Sequence, residues 1–127
     1  MLTKIINEGN RGHFGWGHPS KIFCADGFTV SVIAGGGTYC HPRPVLCYHF
    51  ADHDMVREPD GYYETAPHDF AGPYDKVEVG FPSEIPEPWE EWSQFAEESE
   101  DPTGTIYSYV PVDLVRELVA SHGGEVE

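Results

Sequence analysis

Basic residues are scarce in this chain. It has 7 Lys and Arg against 22 Asp and Glu, which gives a formal net charge of −15 at pH 7. A surface with this excess of negative charge repels nucleic acids and anionic membranes. The composition therefore argues against direct binding of DNA or RNA and favours attraction to a basic partner. A solubility adaptation without any specific partner is the alternative that composition leaves open.

Long apolar runs are also missing. No run approaches the roughly 20 residues that a membrane-spanning helix requires, and residues 1–19 lack the apolar core of a secretory signal. We therefore expect a soluble, cytoplasmic protein with no membrane partner. A content of 39% hydrophobic and 13% aromatic residues is too high for a disordered chain. The 127 residues fit a single domain with a modest core.

A strong catalytic motif is absent as well. The three cysteines, Cys24, Cys40 and Cys47, are an odd number, and free thiols are the default in a cytosolic chain. Cys40 with His49 or His68 would form a nucleophile pair only if a third group oriented the base. The many carboxylates would raise a thiol pKa, which opposes activation. We therefore expect no enzymatic activity.

Alternation of apolar and polar residues predicts an antiparallel sheet. Asp26-Gly27 separates two apolar runs, and this pair is a strong hairpin signal because a type I′ turn needs two residues with positive φ. Alternating strands are predicted at residues 28–33, 76–81 and 104–110. In the second of these strands, Phe81 is expected on the buried side together with Val77 and Val79.

The chain closes with a helical pattern. Leu114, Val115, Leu118 and Val119 form an apolar stripe, and Pro111 suits the first turn of a helix. Together with a second helix described below, these elements predict an α+β fold. We expect a small antiparallel sheet of about four strands, two helices packed on one face and an irregular insertion.

Two segments have no clear period. Residues 1–20, which are rich in Gly, His and aromatic residues, are expected to form an N-terminal arm that packs over the domain or stays mobile. Residues 38–73, which are rich in Pro, His and Asp, are expected to form an irregular insertion. Because structureless segments of that length are uncommon in compact domains, the insertion should have local structure of its own.

The second helix is predicted in the most acidic part of the chain. Residues 83–104 contain eight carboxylates and no Lys or Arg. A helix that starts at Glu87 or Pro88 and covers about 11 residues places Trp89 and Trp92 opposite the acids. We expect the tryptophans to face the core and the acids to face outward. The candidate partner-binding residues are Glu84, Glu87, Glu90, Glu91, Glu97, Glu98, Glu100 and Asp101.

The predicted helix places one charge in about every 4 Å of its length. One strand of DNA carries one charge per roughly 3.4 Å, and the duplex carries one per roughly 1.7 Å. This spacing permits mimicry of a nucleic acid strand. An ordinary solvated face remains the alternative.

A cluster of histidine and cysteine residues offers a different function. Cys40, His41, Cys47, His49 and His53 include the thiolate and imidazole ligands of structural zinc sites. Their spacing lacks the tight C-x2-C pair, so a metal- or ligand-binding module in residues 38–73 is the alternative interpretation. The main interpretation involves no cofactor and no metal.

Two blocks of the sequence resemble a known group of proteins. The stretches FCADGFTVSV, YCHPR, GPYDKVEVGFPSE and DPTGTIYSYVPVDLVRELVASHGG resemble small acidic proteins encoded by bacteriophages, particularly phages of actinobacteria. The resemblance covers residues 23–43 and 72–124 and makes residues 44–71 an insertion of this chain. It implies a phage protein that acts in the host cytoplasm, and it implies no functional residues.

The resemblance and the charge together lead to one functional expectation. Small acidic phage proteins include inhibitors of host nucleic-acid machinery, such as anti-CRISPR proteins, and the analogy is one of context rather than motif. We therefore expect a non-enzymatic inhibitor whose acidic surface binds a basic, nucleic-acid-binding host protein. The sequence leaves the identity of that partner and the oligomeric state open.

Overall fold

The computed structural model describes residues 1–11, 19–44, 65–66, 70 and 72–126. The described elements are α1 (Leu2–Glu8), β1 (Lys21–Phe23), β2 (Thr29–Ile33), β3 (Arg43–Pro44), β4 (Thr65–Ala66), β5 (Lys76–Gly80), α2 (Trp89–Trp92), β6 (Ile106–Pro111) and α3 (Val112–Ser121). The predicted α+β fold is confirmed. Most of the predicted insertion lies outside the described residues.

A four-stranded antiparallel sheet organises the molecule, with the strand order β1-β2-β5-β6. β3 and β4 form a separate two-residue parallel pair. The predicted alternation in β2 and at the start of β5 is confirmed, because Val30, Val32, Val77 and Val79 are all fully buried. α1 packs against β2 and α3 packs against β6, so the core lies between the sheet and these helices.

The hairpin between β1 and β2 lies at Asp26-Gly27, as predicted, but its turn is not of type I′. Gly27 has a φ of 94°, whereas Asp26 has no positive φ. The N–H of Gly27 donates to the carbonyl of Cys24, and the N–H of Cys24 donates to the carbonyl of Phe28. This is the pattern of a three-residue loop, in which one left-handed residue follows the turn.

The side chain of Asp26 ties the hairpin to the end of α3. Its Oδ1 accepts the N–H of Phe28 at 2.9 Å, and its Oδ2 lies 2.7 Å from Nδ1 of His122. These two hydrogen bonds hold the pKa of the Asp26 carboxyl below its ordinary value. The ring of His122 stacks on Phe28 with a centroid distance of 3.8 Å. α3 is therefore fixed to the first hairpin as well as to β6.

Both edges of the sheet are partly covered by short segments of the same chain. On one edge, the N–H of Val126 donates to the carbonyl of Phe23 at 2.7 Å. On the other edge, the N–H of Glu97 donates to Ile106 at 2.9 Å, and the N–H of Ser108 donates to Phe95 at 3.0 Å. An uncovered edge strand can pair with strands of other chains. These backbone hydrogen bonds occupy part of each edge and so reduce that risk.

The start of the predicted arm is a helix that belongs to the core. Leu2, Ile5 and Ile6 of α1 are between 2% and 6% exposed. The Asn10 side chain fixes the segment to β2, since its Nδ2 donates to Val32 at 2.9 Å and its Oδ1 accepts from Ala34 at 3.0 Å. The spacing of Leu2, Ile5 and Ile6 is that of one helix face, although residues 1–20 as a whole have no clear period. Residues 12–18 of the arm lie outside the described residues.

The prediction of an acidic helix of about 11 residues is wrong, because α2 contains only Trp89–Trp92. Beyond it, the N–H groups of Gln94, Phe95 and Ala96 donate to carbonyls three residues earlier. Ala96 then pairs with Tyr107 on the edge of β6. The chain leaves the helix because this edge offers backbone hydrogen bonds that a continued helix would leave unmade. The predicted burial of Trp92 is confirmed at 0% exposure.

Within the described residues, no helix has the length and apolar character that crossing a membrane requires. The three helices described have seven, four and ten residues.

We expect Ile5→Ala to lower the free energy of unfolding by about 2–5 kcal/mol, because it opens a cavity beneath α1. The matched control is Lys4→Ala, on the exposed side of the same helix. This variant should change the free energy of unfolding by less than about 0.5 kcal/mol. Urea unfolding followed by tryptophan fluorescence measures both changes. Equal and negligible effects would mean that this segment is a dispensable arm.

Candidate functional site: an acidic segment beside an aromatic cleft

The acidic segment, residues 83–104, wraps around the outer edge of β6. All eight carboxylates proposed as partner-binding residues are exposed, as predicted, but a helix face does not align them. Glu90 and Glu91 lie in α2, and Glu97 lies in the stretch that pairs with β6. The eight residues are Glu84, Glu87, Glu90, Glu91, Glu97, Glu98, Glu100 and Asp101. The structure thus distributes the charge along a folded path.

Hydrogen bonds to β6 hold the second half of this path. Thr105, which is 5% exposed, accepts the N–H of Glu98 at its Oγ1. The hydroxyl of Tyr107 donates to the carbonyl of Pro102 at 2.5 Å. Burial raises the pKa of Tyr107 to about 12, so the hydroxyl keeps its proton for this bond. The loop therefore presents its acids from a backbone that is tied to the sheet.

Two of the eight acids also contact their own chain through side-chain atoms. Glu97 Oε1 accepts the hydroxyl of Ser108 at 2.6 Å. The carboxylate of Asp101 lies so close to Gly104 that a Cβ there would approach its Oδ2 to 2.2 Å. Gly104 is therefore required for the position of Asp101. The side chain of Glu97 therefore contributes to the structure of the segment as well as to its charge.

Exposed apolar side chains accompany the acids. Phe81 is 58% exposed and Ile85 is 53% exposed. The expected inward orientation of Phe81 is wrong, because a φ of 50° at this residue ends the alternation of β5. Pro82 is fully buried next to it. An exposed aromatic and an exposed aliphatic side chain thus lie at the entrance to the acidic segment.

A β-bulge in β6 breaks the predicted alternation of residues 106–110. Val77 pairs with Val110 and Val79 pairs with Tyr107, so Ser108 and Tyr109 stand opposite the single residue Glu78. Tyr109 has a φ of 56°, which is rare for a non-glycine residue. Tyr107 and Val110 are consequently both buried although they are three residues apart. Bulges of this kind redirect side chains.

The bulge forms one wall of a cleft of about 540 Å³, here called the aromatic cleft. The residues that line it are Tyr39, His41, Lys76, Gln94, Phe95, Ala96, Glu97, Ser108 and Tyr109. The N–H of Tyr109 donates to the carbonyl of Tyr39 at 3.0 Å, and the two rings lie 5.7 Å apart. The guanidinium of Arg43 lies 5.4 Å from the centroid of the Tyr39 ring. The cleft adjoins the acidic segment, because Glu97 belongs to both.

The half-buried Glu78 lies beneath the bulge. Its Oε1 accepts the N–H of Tyr39 at 2.9 Å. Burial raises the pKa of the Glu78 carboxyl, and the negative charge of Glu97 adds to the rise. The hydrogen bond from the Tyr39 N–H and the positive charge of Arg11 act in the opposite direction and lower the pKa of Glu78. This carboxylate therefore carries an electrostatic penalty at neutral pH.

Two cysteines belong to the core. Cys40 is fully buried, and its Sγ lies 3.4 Å from the N–H of Gly35. Burial raises the pKa of Cys40 and that of Cys24, so both thiols hold their protons. This geometry argues against Cys40 as a nucleophile or as a zinc ligand.

The other candidates for metal binding or catalysis, Cys47, His49, His53 and His68, lie outside the described residues. His41 lies at the cleft, where its Nδ1 is 2.5 Å from Oδ1 of Asp75. Among the residues that the structure describes, no three or more His, Cys, Asp or Glu side chains come together as metal ligands.

The aromatic cleft has no local sequence signal, because its residues come from distant parts of the chain. Tyr39 and Tyr109 are 70 positions apart in the numbering and meet only through the bulge. The tyrosines of IYSYV fit a regular strand equally well. A helix over residues 87–98 would place Phe95 between its acidic and its aromatic face, and this is the one local sign of a separate position.

We expect Glu78→Gln to raise the melting temperature at pH 7 by about 1–3 °C, a modest gain because the group is only half-buried. The amide keeps an acceptor for the Tyr39 N–H and carries no charge. A raised folded-state pKa favours folding at low pH, and this contribution is lost as pH rises through that value. The gain should therefore vanish below about pH 4, where the carboxyl is protonated in both the folded and the unfolded protein.

Calorimetry of both proteins across this pH range measures the effect. Glu117→Gln, on the exposed face of α3, is the control and should show a smaller gain. A gain that is equal at both pH values would contradict the electrostatic explanation.

Comparison with known proteins gives no match to this chain, whether with protein-family models, with curated proteins or with solved structures. The resemblance to acidic phage proteins therefore stays an expectation from the quoted stretches. The function has to be inferred from the chemistry of the acidic segment and the aromatic cleft.

Proposed function

We propose that this chain is a non-enzymatic inhibitor, of the kind that phages direct against host defences, and that it binds a basic nucleic-acid-binding protein. The supporting observation is the acidic segment, with eight exposed carboxylates. Residues 77–115, which include it, contain ten Asp and Glu and no Lys or Arg. A surface of this kind attracts a basic protein surface and repels nucleic acid.

The exposed apolar residues give the acidic segment a second property of binding surfaces. Charge complementarity accelerates encounter and selects partners, whereas buried apolar and aromatic anchors carry most of the affinity. Phe81 and Ile85 are exposed at the entrance of the segment. We infer that they form the apolar centre of the interface and that the acids surround it.

The short α2 changes the form of the mimicry hypothesis. The regular spacing of about 4 Å applied to a long helix, and the structure has a helix of four residues. The acids follow turns and an edge pairing instead. The proposal is therefore competition with nucleic acid for one basic surface, without a copy of the phosphate spacing.

A small-ligand module is the second candidate function, and one observation favours it. Tyr39 and His41, from the start of the predicted insertion, line the aromatic cleft. Pockets of about 300–1,000 Å³ are typical of small-molecule sites, and this cleft of about 540 Å³ falls within that range. A role of this kind would depend on the cleft rather than on the acidic segment.

Charge reversal in α2 tests the main proposal. Glu90→Lys with Glu91→Lys changes the net charge from −15 to −11. The matched control, Glu8→Lys with Glu117→Lys, makes the same change in α1 and α3. We expect capture of nucleic-acid-binding proteins from an actinobacterial lysate to fall roughly tenfold for the α2 variant and little for the control.

Mass spectrometry identifies the captured proteins, and added duplex DNA should displace them. Capture should also weaken as salt is raised, because ions screen surface charges. Circular dichroism checks that both variants keep the fold. Equal capture by the α2 variant and the wild type, or capture that DNA does not affect, would refute the proposal.

A further inference from the structure

The aromatic cleft combines two kinds of surface that a guanidinium group requires. Three aromatic rings, those of Tyr39, Phe95 and Tyr109, line it together with the carboxylate of Glu97. A guanidinium stacks its flat face on an aromatic ring and donates N–H groups in its plane to a carboxylate. The hydroxyl of Ser108 holds Glu97 Oε1 at 2.6 Å, so this acid is oriented within the cleft.

The protein already places one arginine on these rings. The guanidinium carbon of Arg43 lies 5.4 Å from the centroid of Tyr39, within the range of a cation–π contact. Its Nη1 donates to the hydroxyl of Tyr109 at 3.5 Å. Phe95 and Glu97 line the same cleft of about 540 Å³, in the stretch that pairs with β6. A second guanidinium from outside would find an aromatic ring and a carboxylate at Phe95 and Glu97, whereas the charge of Arg43 would repel it at Tyr39.

The charged groups around the cleft lie at two places, called here the Lys76 end and the Glu97 end. Lys76 and His41 lie at the start of β5, where the N–H of His41 donates to the carbonyl of Lys76 and Asp75 contacts the His41 ring. Lys76 pairs with Pro111, whereas Glu97 bonds to Ser108.

Because the bulge places Ser108 opposite Glu78, only two residues of β5 separate these positions, which is about 7 Å. Glu78 lies behind the bulge opposite Ser108, on the acidic end. A cation therefore meets favourable charge at the Glu97 end and unfavourable charge at the Lys76 end and beside Arg43.

We propose that the Glu97 end of the aromatic cleft binds an arginine side chain of the protein partner, stacked on Phe95 and bonded to Glu97. The inference rests on the proposed function, since it assigns the arginine to the basic partner. Arginine fits better than lysine because a planar guanidinium can use the rings and the carboxylate together.

Titration with N-acetyl-arginine methylamide, followed by amide and aromatic NMR shifts, tests the cleft without any partner. We expect saturable shifts at Glu97, Ser108 and Tyr109 and at least threefold weaker binding of the lysine analogue. The citrulline analogue has the same shape without the charge and should cause no saturable shift. Equal shifts with citrulline would overturn the proposal.

Variants locate the site. Glu97→Gln keeps an acceptor for Ser108 and should weaken binding roughly fivefold, whereas Glu98→Gln removes the same charge one residue away and should change it little. Phe95→Leu keeps an apolar side chain without the aromatic face and should also weaken binding. Lys76→Met should tighten binding, because it removes a like charge. Equal effects of the Glu97 and Glu98 variants would refute a defined site.

The two proposals can fail separately. If the arginine derivative binds as expected while the Glu90 and Glu91 reversal leaves partner capture intact, the acidic segment is not the interface and the cleft stands. If the reversal abolishes capture while Glu97→Gln leaves arginine binding unchanged, the cleft inference fails and the proposed function stands.

Discussion

The pairing of β5 with β6, with one extra residue in β6, is the constraint on which the rest of the molecule depends. The bulge lets Tyr107 and Val110 enter the core together. The rings of Trp92 and Trp89 make T-shaped contacts with the ring of Tyr107, at centroid distances of 5.5 and 6.4 Å. The hydroxyl of Tyr107 donates to the carbonyl of Pro102 and so holds the loop. The position of α2 and the path of the acidic segment both follow from one buried tyrosine.

The outer edge of β6 decides where the acidic charge lies. A helix that continued beyond Trp92 would bring Glu97 and Glu98 to its C-terminal end, where the helix dipole disfavours them and no basic residue compensates. Pairing of residues 95–97 with β6 gives their backbone groups partners and also covers the sheet edge. The charge is thereby placed beside the cleft rather than along a helix.

Elements whose signals are local could be predicted from the sequence. The valines of β2 and β5, the apolar stripe of α3 and the burial of Trp92 all depend on the period of the element itself. The end of α2, the bulge and the exposure of Phe81 depend on contacts with distant parts of the chain, such as Ala96 with Tyr107. Of the site, the exposure of the acids was predictable, whereas their arrangement and the aromatic cleft were not.

Features that stability does not explain are concentrated at one place in the fold. Phe81 and Tyr109 have positive φ values of 50° and 56°, and Glu78 keeps a half-buried carboxyl whose pKa burial raises. Each is unfavourable for a packed domain of this size. All three belong to the β5–β6 pairing or follow it directly, at the bulge and at the entrance to the acidic segment. Strain that the surrounding structure maintains is typical of binding sites. This coincidence supports the proposal that a partner binds at the bulge and the acidic segment.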